Sequence, residues 1–200
     1  MKKNVANFLV LGMAGILAAC FSGCTKNEPP RPADQVTEEL KGKPVKVADE
    51  LKGKLVKLEG KNLVVDSVAL ENKSVIAFYY SAHWCPPCRA FTPELVKFYQ
   101  TAAKEYAGFQ LVFVSSDKNE EAMKEHMEWG KMEFPAVKFG ERIPFLDGLS
   151  AEGIPYLVVI DADGNQLAGK AAGEDWKSPI ETLEDLKKIL KEKGGAKPGA

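Results

Sequence analysis

Residues 78–93 read FYYSAHWCPPCRAFTP. The apolar run at 74–80, rich in β-branched and aromatic residues, is typical of a buried central strand. Beyond the cysteines, apolar residues recur with the spacing of one helix face: Phe91, Leu95, Phe98, Ala102 and Tyr106. The sequence therefore predicts a buried strand that passes directly into a helix, with Cys85 and Cys88 at the junction.

The position of this CxxC motif has a chemical consequence. Free N–H groups and the positive end of the helix dipole favour a thiolate on Cys85. Cys88 lies one helical turn further on, so the two thiols can close a local disulfide. Pro86 and Pro87 are tolerated there, because a first helical turn does not need their missing N–H groups.

Other uses of a CxxC pair fit this sequence less well. Haem attachment requires His after the second cysteine, where this chain has Arg89. Zinc requires four ligands, and the pair together with His83 supplies three at most. We therefore predict no metal and no organic cofactor. A purely structural disulfide remains an alternative.

The flanking sequence predicts further elements of an α/β fold with a mixed sheet. A hairpin is expected from Leu55–Leu58 and Leu63–Val65, and further strands at Phe109–Ser115 and Tyr156–Ile160. The latter is expected to pair with 166–170. Asp117 is expected to cap a helix through Trp129, and the S-P-I-E box at 178–181 another. Residues 130–153 give no clear pattern. Three aromatic residues in or next to this stretch are expected in the core rather than in a hydrophobic docking patch: Trp129, Phe134 and Phe139. His126 is expected on the surface of a helix.

The N-terminus is typical of an export signal. Residues 1–19 have a basic start and a short apolar stretch, and they end in Leu-Ala-Ala before Cys20, which resembles the bacterial lipobox. That resemblance implies cleavage before Cys20 and acylation of its thiol and amine, which would anchor the protein to a membrane. An ordinary secretory signal is the alternative.

Composition bounds the remainder of the chain. With 27 basic and 28 acidic residues the net charge is −1, which gives no support for nucleic-acid binding. The proline-broken stretch at 20–44 is expected to be a flexible tether and 194–200 a frayed tail. Residues 45–193 then form a single domain.

The stretch at 78–93 resembles the thioredoxin superfamily, most closely tryparedoxin and nucleoredoxin, with looser likeness over 55–190. The resemblance implies a thioredoxin-like fold, here with an N-terminal β-hairpin extension. It also implies that a cis-proline loop, Ile154 and Pro155, packs against the dithiol and binds extended substrate, with Trp84 shaping the same surface. Tyr79 stands where thioredoxin has a buried Asp, which leaves the proton acceptor for Cys88 open.

Together these patterns predict a membrane-tethered thiol–disulfide oxidoreductase on the exported side of a bacterial membrane. Cys85 is expected to be the nucleophile and Cys88 the resolving thiol. The expected partners are disulfide-containing exported proteins and, for a reductase, a membrane electron donor. A disulfide-forming oxidase of the same fold and a non-catalytic peptide-binding module remain alternatives.

Overall fold

The computed structural model describes residues 46–141, 143–170 and 177–194. The predicted signal, Cys20 and the whole of the predicted tether, along with the predicted tail from 195 onward, lie outside the described residues. Within them, no helix combines the length and apolarity needed to cross a bilayer. In chain order the elements are α1 (Val47–Glu50), β1 (Leu55–Glu59), β2 (Asn62–Val65), β3 (Val75–Ser81), α2 (Pro86–Glu105), β4 (Phe109–Ser115), α3 (Glu120–Gly130), β5 (Ala136–Val137), α4 (Pro144–Leu149), β6 (Tyr156–Asp161), β7 (Gln166–Ala168) and α5 (Pro179–Gly194).

The strands form one mixed sheet in the order β2-β1-β5-β4-β3-β6-β7. Strand β3 lies at its centre, parallel to β4 and antiparallel to β6. All seven of its residues are buried, because helices cover both faces of the sheet. The predicted hairpin is confirmed as β1 and β2, and it extends the sheet through β5.

Alternate side chains of β3 enter two separate cores, as the period of two in a strand requires. Val75, Ala77 and Tyr79 face a core that receives residues of α2, α3 and α5. Their neighbours Ile76 and Phe78 face a second core, which receives residues of α1 and α4. The sheet is therefore the middle layer of three, and the active-site strand is fixed from both sides.

The chain enters the described domain at one particular end of this sheet. The Val47 N–H donates to the Ala162 carbonyl, just beyond the last residue of β6. In the β3–β6 register Asp161 pairs with Val75, at the start of β3. The cysteines follow the other end of β3, so α1 and the dithiol lie at opposite ends of the central strands.

Two of the predicted helix starts have different outcomes. The Ser178 box is confirmed, because Ser178 and Glu181 exchange reciprocal hydrogen bonds at the start of α5. The Asp117 cap is wrong, because Asn119 caps α3 by accepting from Ala122 N. Asp117 instead points back toward the cysteine junction. The unassigned stretch after α3 contains β5 and α4.

Candidate active site

The two cysteines lie where β3 gives way to α2. Cys85 is the N-cap residue of α2, and its Sγ accepts from the Cys88 N–H at 3.4 Å. The pair is disulfide-bonded, with Cα atoms 5.2 Å apart. Cys88 is completely buried, whereas Cys85 keeps 4% of its surface exposed. A reactant arriving from solvent therefore meets Cys85 first.

A second loop meets this junction from the start of β6. The Ile154–Pro155 peptide bond is cis, as the family resemblance implies. The Ile154 carbonyl oxygen lies 3.7 Å from Cys85 Sγ, and its side chain packs on Cys85 and Cys88. The fold thus brings together the CxxC pair and the loop at 154–155, which are about seventy residues apart in sequence.

A shallow groove of about 340 Å³ runs beside the disulfide. Its lining is mainly apolar and comes from the CxxC turn, the cis-proline loop and the residues before α5: Pro87, Ala151, Gly153, Ile154, Pro155, Tyr156, Lys177 and Pro179. An extended, largely apolar chain segment has the shape and chemistry to occupy it.

Trp84 lies on the other side of the junction. Its side chain is 57% exposed, and its Nε1–H donates to the Ser116 carbonyl at 3.2 Å. The indole is therefore held against the loop that follows β4, and it does not line the groove at the cis-proline. Its part in substrate binding stays a prediction.

Tyr79 occupies the buried space beneath Cys88. Its hydroxyl donates to the Cys88 carbonyl at 3.3 Å and shares a 2.9 Å hydrogen bond with Thr92 Oγ1. Burial raises the pKa of Tyr79, and the hydrogen bond with Thr92 only partly offsets this. The hydroxyl is therefore neutral at physiological pH. It braces the first turn of α2 where thioredoxin has a carboxylate.

Sequence reasoning missed a buried polar cluster behind this junction. His126 has no exposed surface, so its predicted place on the helix surface is wrong. Its ring stacks on His83, with centroids 5.3 Å apart and planes 12° apart. Its Nδ1 lies 3.5 Å from Asp117 Oδ2. The expected core position is confirmed for Phe134, whereas Trp129 is 45% exposed and packs beside His83.

Within the described part of the chain, no three His, Cys, Asp or Glu side chains are grouped as ligands for a metal ion.

Comparison with known proteins finds thioredoxin-like relatives of this chain. A family model described as thioredoxin-like matches residues 72–166. Tryparedoxin of Trypanosoma brucei brucei is 38% identical over 109 residues, which cover 52% of this chain and 72% of that protein. The thioredoxin structure from Wuchereria bancrofti superposes with a TM-score of 0.54 at 34% identity, covering 69% of this chain and 96% of that one.

The nucleoredoxins are longer proteins. Probable nucleoredoxin 1 of Arabidopsis thaliana is 36% identical over 113 residues, which are 56% of this chain and 18% of that protein. This chain therefore spans less than a fifth of that relative. The similarity concerns one thioredoxin-like domain, with its mixed central sheet flanked by helices.

Proposed function

Because this chain belongs to the thioredoxin-like family, we propose that it is a thiol–disulfide oxidoreductase, that it is held on a membrane through Cys20 and that it reduces disulfides of exported proteins. The observation that carries the redox part is the Cys85–Cys88 pair at the N-terminus of α2, facing the cis-proline loop. The anchor and the compartment depend on the sequence at 1–20 alone.

The proposed reaction starts from the reduced pair. The Cys85 thiolate attacks one sulfur of a substrate disulfide, the substrate S–S bond breaks, and the departing sulfur takes up a proton. Cys88 then loses its proton and attacks Cys85 Sγ in the mixed disulfide, which releases the second substrate thiol. The dithiol is oxidised to a disulfide and the substrate disulfide is reduced to two thiols. Cys85 gives one proton to solvent when its thiolate forms and Cys88 gives up a second, and the two substrate sulfurs take up two.

The difference in exposure supports this division of roles. Cys85 is the sulfur that a substrate can approach, and the first-turn N–H groups of α2 favour its thiolate. Cys88 is fully buried beneath it, so its thiol reaches Cys85 Sγ and not a substrate disulfide free in solvent. An extended substrate segment would lie in the groove along Ile154 and Pro155, with its cysteine next to Cys85.

Trapping of the mixed disulfide tests the redox roles. We expect Cys88→Ser in the full chain to accumulate mixed disulfides with exported proteins, visible on non-reducing gels and absent after reduction. Cys85→Ser is the matched control, because it keeps Cys88, Cys20 and Cys24 but lacks the attacking sulfur. If both variants capture nothing, the chain acts as a non-catalytic binding module instead.

The reduction potential of the pair sets the direction of the reaction. A value near about −270 mV supports a reductase, which then needs a donor of electrons from the membrane. A value near about −120 mV supports the alternative, a disulfide-forming oxidase. Equilibration of the purified protein against defined thiol buffers measures it.

The anchor is tested separately from the chemistry. We expect the wild-type chain to incorporate labelled palmitate and to enter the detergent phase of a Triton X-114 extraction. Cys20→Ser should lose both properties, whereas Cys24→Ser, four residues away, should keep them. A Cys20→Ser variant that still carries label would contradict the proposed anchor.

A further inference from the structure

The segment that leads into Cys85 is fastened to the loop between β4 and α3. The His83 N–H donates to Asp117 Oδ1 at 2.8 Å, and Trp84 Nε1–H donates to the Ser116 carbonyl. Ser116 N–H in turn donates to the Ser81 carbonyl at 2.8 Å. Three hydrogen bonds therefore join this loop to the four residues before the dithiol. Only the Asp117 contact uses a carboxylate.

Asp117 is built to remain an anion in this position. Its side chain is 1% exposed. Burial alone would raise the pKa of this carboxyl, but the nearby His126 ring, together with hydrogen bonds from the His83 N–H and Ser115 Oγ, outweighs that effect and lowers it. A charge-assisted hydrogen bond is about twice as strong as a neutral one, so the bond to His83 is a firm attachment.

The carbonyl and the ring of His83 also have contacts that fix this residue in place. Its carbonyl accepts from Arg89 Nη1 at 2.8 Å, which ties it to the first turn of α2. Its ring contacts both His126 and Trp129, with centroids 5.3 Å from each. The backbone of His83 is thus fixed on both sides, two residues before Cys85.

We propose that Asp117 is a positioning residue for the dithiol, which acts through the backbone N–H of His83 to set the place of Cys85 at the start of α2. This inference rests on the proposed redox function. Asp117 has no contact with either sulfur. Its loss would leave the His83 N–H without an acceptor and loosen the segment before the N-cap, which the bonds from Trp84, Ser116 and Arg89 would then hold alone. Small displacements of a reacting group are costly, up to about a hundredfold for 1 Å.

The test compares substitutions that do and do not keep the acceptor. The reduced protein, with Cys20 and Cys24 replaced by Ser in every variant, is mixed with 5,5′-dithiobis(2-nitrobenzoic acid), and the rate of oxidation of the dithiol is followed. We expect Asp117→Ala to react roughly tenfold more slowly than its parent. Asp117→Asn should stay within about twofold of its parent, because the amide oxygen still accepts from His83 N–H.

Asp161 provides the matched control. Its carboxylate also accepts backbone N–H groups, from Asp163 and Asn165 at 2.9 Å each, but it lies at the other end of the sheet. We expect Asp161→Ala to leave the rate within about twofold of its parent. If it slows the reaction as much as Asp117→Ala does, general loosening explains the effect and the proposal is overturned.

The remaining outcomes are also decisive. A parental rate in Asp117→Ala, or an Asp117→Asn variant as slow as Asp117→Ala, overturns the positioning role. If Asp117→Ala fails to fold by near-UV circular dichroism, Asp117→Ser takes its place, because its hydroxyl is too short to reach His83 N–H. Failure of the proposed function itself is recognised separately, as a parent protein that reacts no faster than free glutathione.

Discussion

The two ends of the central strands are stabilised in different ways. At the far end from the dithiol, Asp161 closes a turn by accepting from Asp163 and Asn165, which lie two and four residues away. At the dithiol end, Asp117 accepts from His83, 34 residues away. The first arrangement is a local motif, and the second exists only after β3 and β4 have paired. The Asp117 hydrogen bond at the active-site end therefore requires the tertiary fold, whereas the Asp161 hydrogen bonds at the far end form between residues close in sequence.

The largest expected effect comes from a close backbone approach near the dithiol end. Gly169 has φ +82°, and a Cβ there would lie 2.2 Å from the Leu157 carbonyl oxygen. Gly169→Ala should therefore lower the free energy of unfolding by about 3 kcal/mol or more, measured by urea denaturation. Gly60, in the local β1–β2 turn, has φ +64° and open space around it. Gly60→Ala should cost only about 1 kcal/mol. An equal loss of unfolding free energy in the two variants would contradict this difference between the two glycines.

The next effect is a difference in acid sensitivity between the two carboxylates. The pKa of Asp117 lies below its ordinary value of 3.8, so its contribution to stability is present above that pH and is lost as the pH falls through the folded-state pKa. Asp117→Asn should flatten the fall in urea midpoint from about pH 5 downward through the folded-state pKa. The hydrogen bonds to the charged group contribute about 1.5–3 kcal/mol at neutral pH.

Asp161 serves as the comparison for that measurement. Its pKa is lowered as well, because hydrogen bonds from Asn165 and Asp163 outweigh the desolvation that would raise it. It is more exposed than Asp117, so solvent screens the effect. Asp161→Asn should therefore flatten the same pH profile by less. A larger change from Asp161→Asn would reverse the ranking of the two ends.

The smallest expected effect concerns the imidazole behind the junction. Neither ring nitrogen of His126 has a hydrogen-bond partner, and its ring is packed against Phe113, His83 and Trp129. Phe keeps that packing and removes two ring nitrogens without a hydrogen-bond partner, of which Nδ1 lies 3.5 Å from Asp117 Oδ2. His126→Phe should change the unfolding free energy by less than about 1 kcal/mol. His126→Ala leaves a cavity and should cost about 3 kcal/mol. A His126→Phe variant as unstable as His126→Ala would show that the imidazole itself is required.

The same contrast explains what sequence could predict. The buried strand, the CxxC turn and the Ser178 box each depend on residues that are neighbours in the sequence, and each is confirmed in the structure. Strand β5 has two residues and exists through its pairing with β1 and β4, so no local pattern marks it. The sequence predicts the wrong role for Asp117 because its main partner, the His83 N–H, is 34 residues away. A helix cap three residues before Glu120 was the best local alternative.

The candidate site shows the same division. Cys85 and Cys88 follow from spacing, and the cis bond at Pro155 was expected only from family resemblance. The sequence does not indicate that His126 is buried, because the residues beside it in α3 are both polar and apolar. The approach of His83 from another element is what covers the ring.

The hydrogen bond from Val47 N–H to the Ala162 carbonyl has a consequence for access. It places the entry of the chain at the end of the central strands away from Cys85, and β3 alone extends about 20 Å between these ends. In the anchored protein proposed above, a partner that approaches the dithiol therefore comes from the end of the sheet opposite Val47. Large folded partners and short peptides then reach it by the same open route.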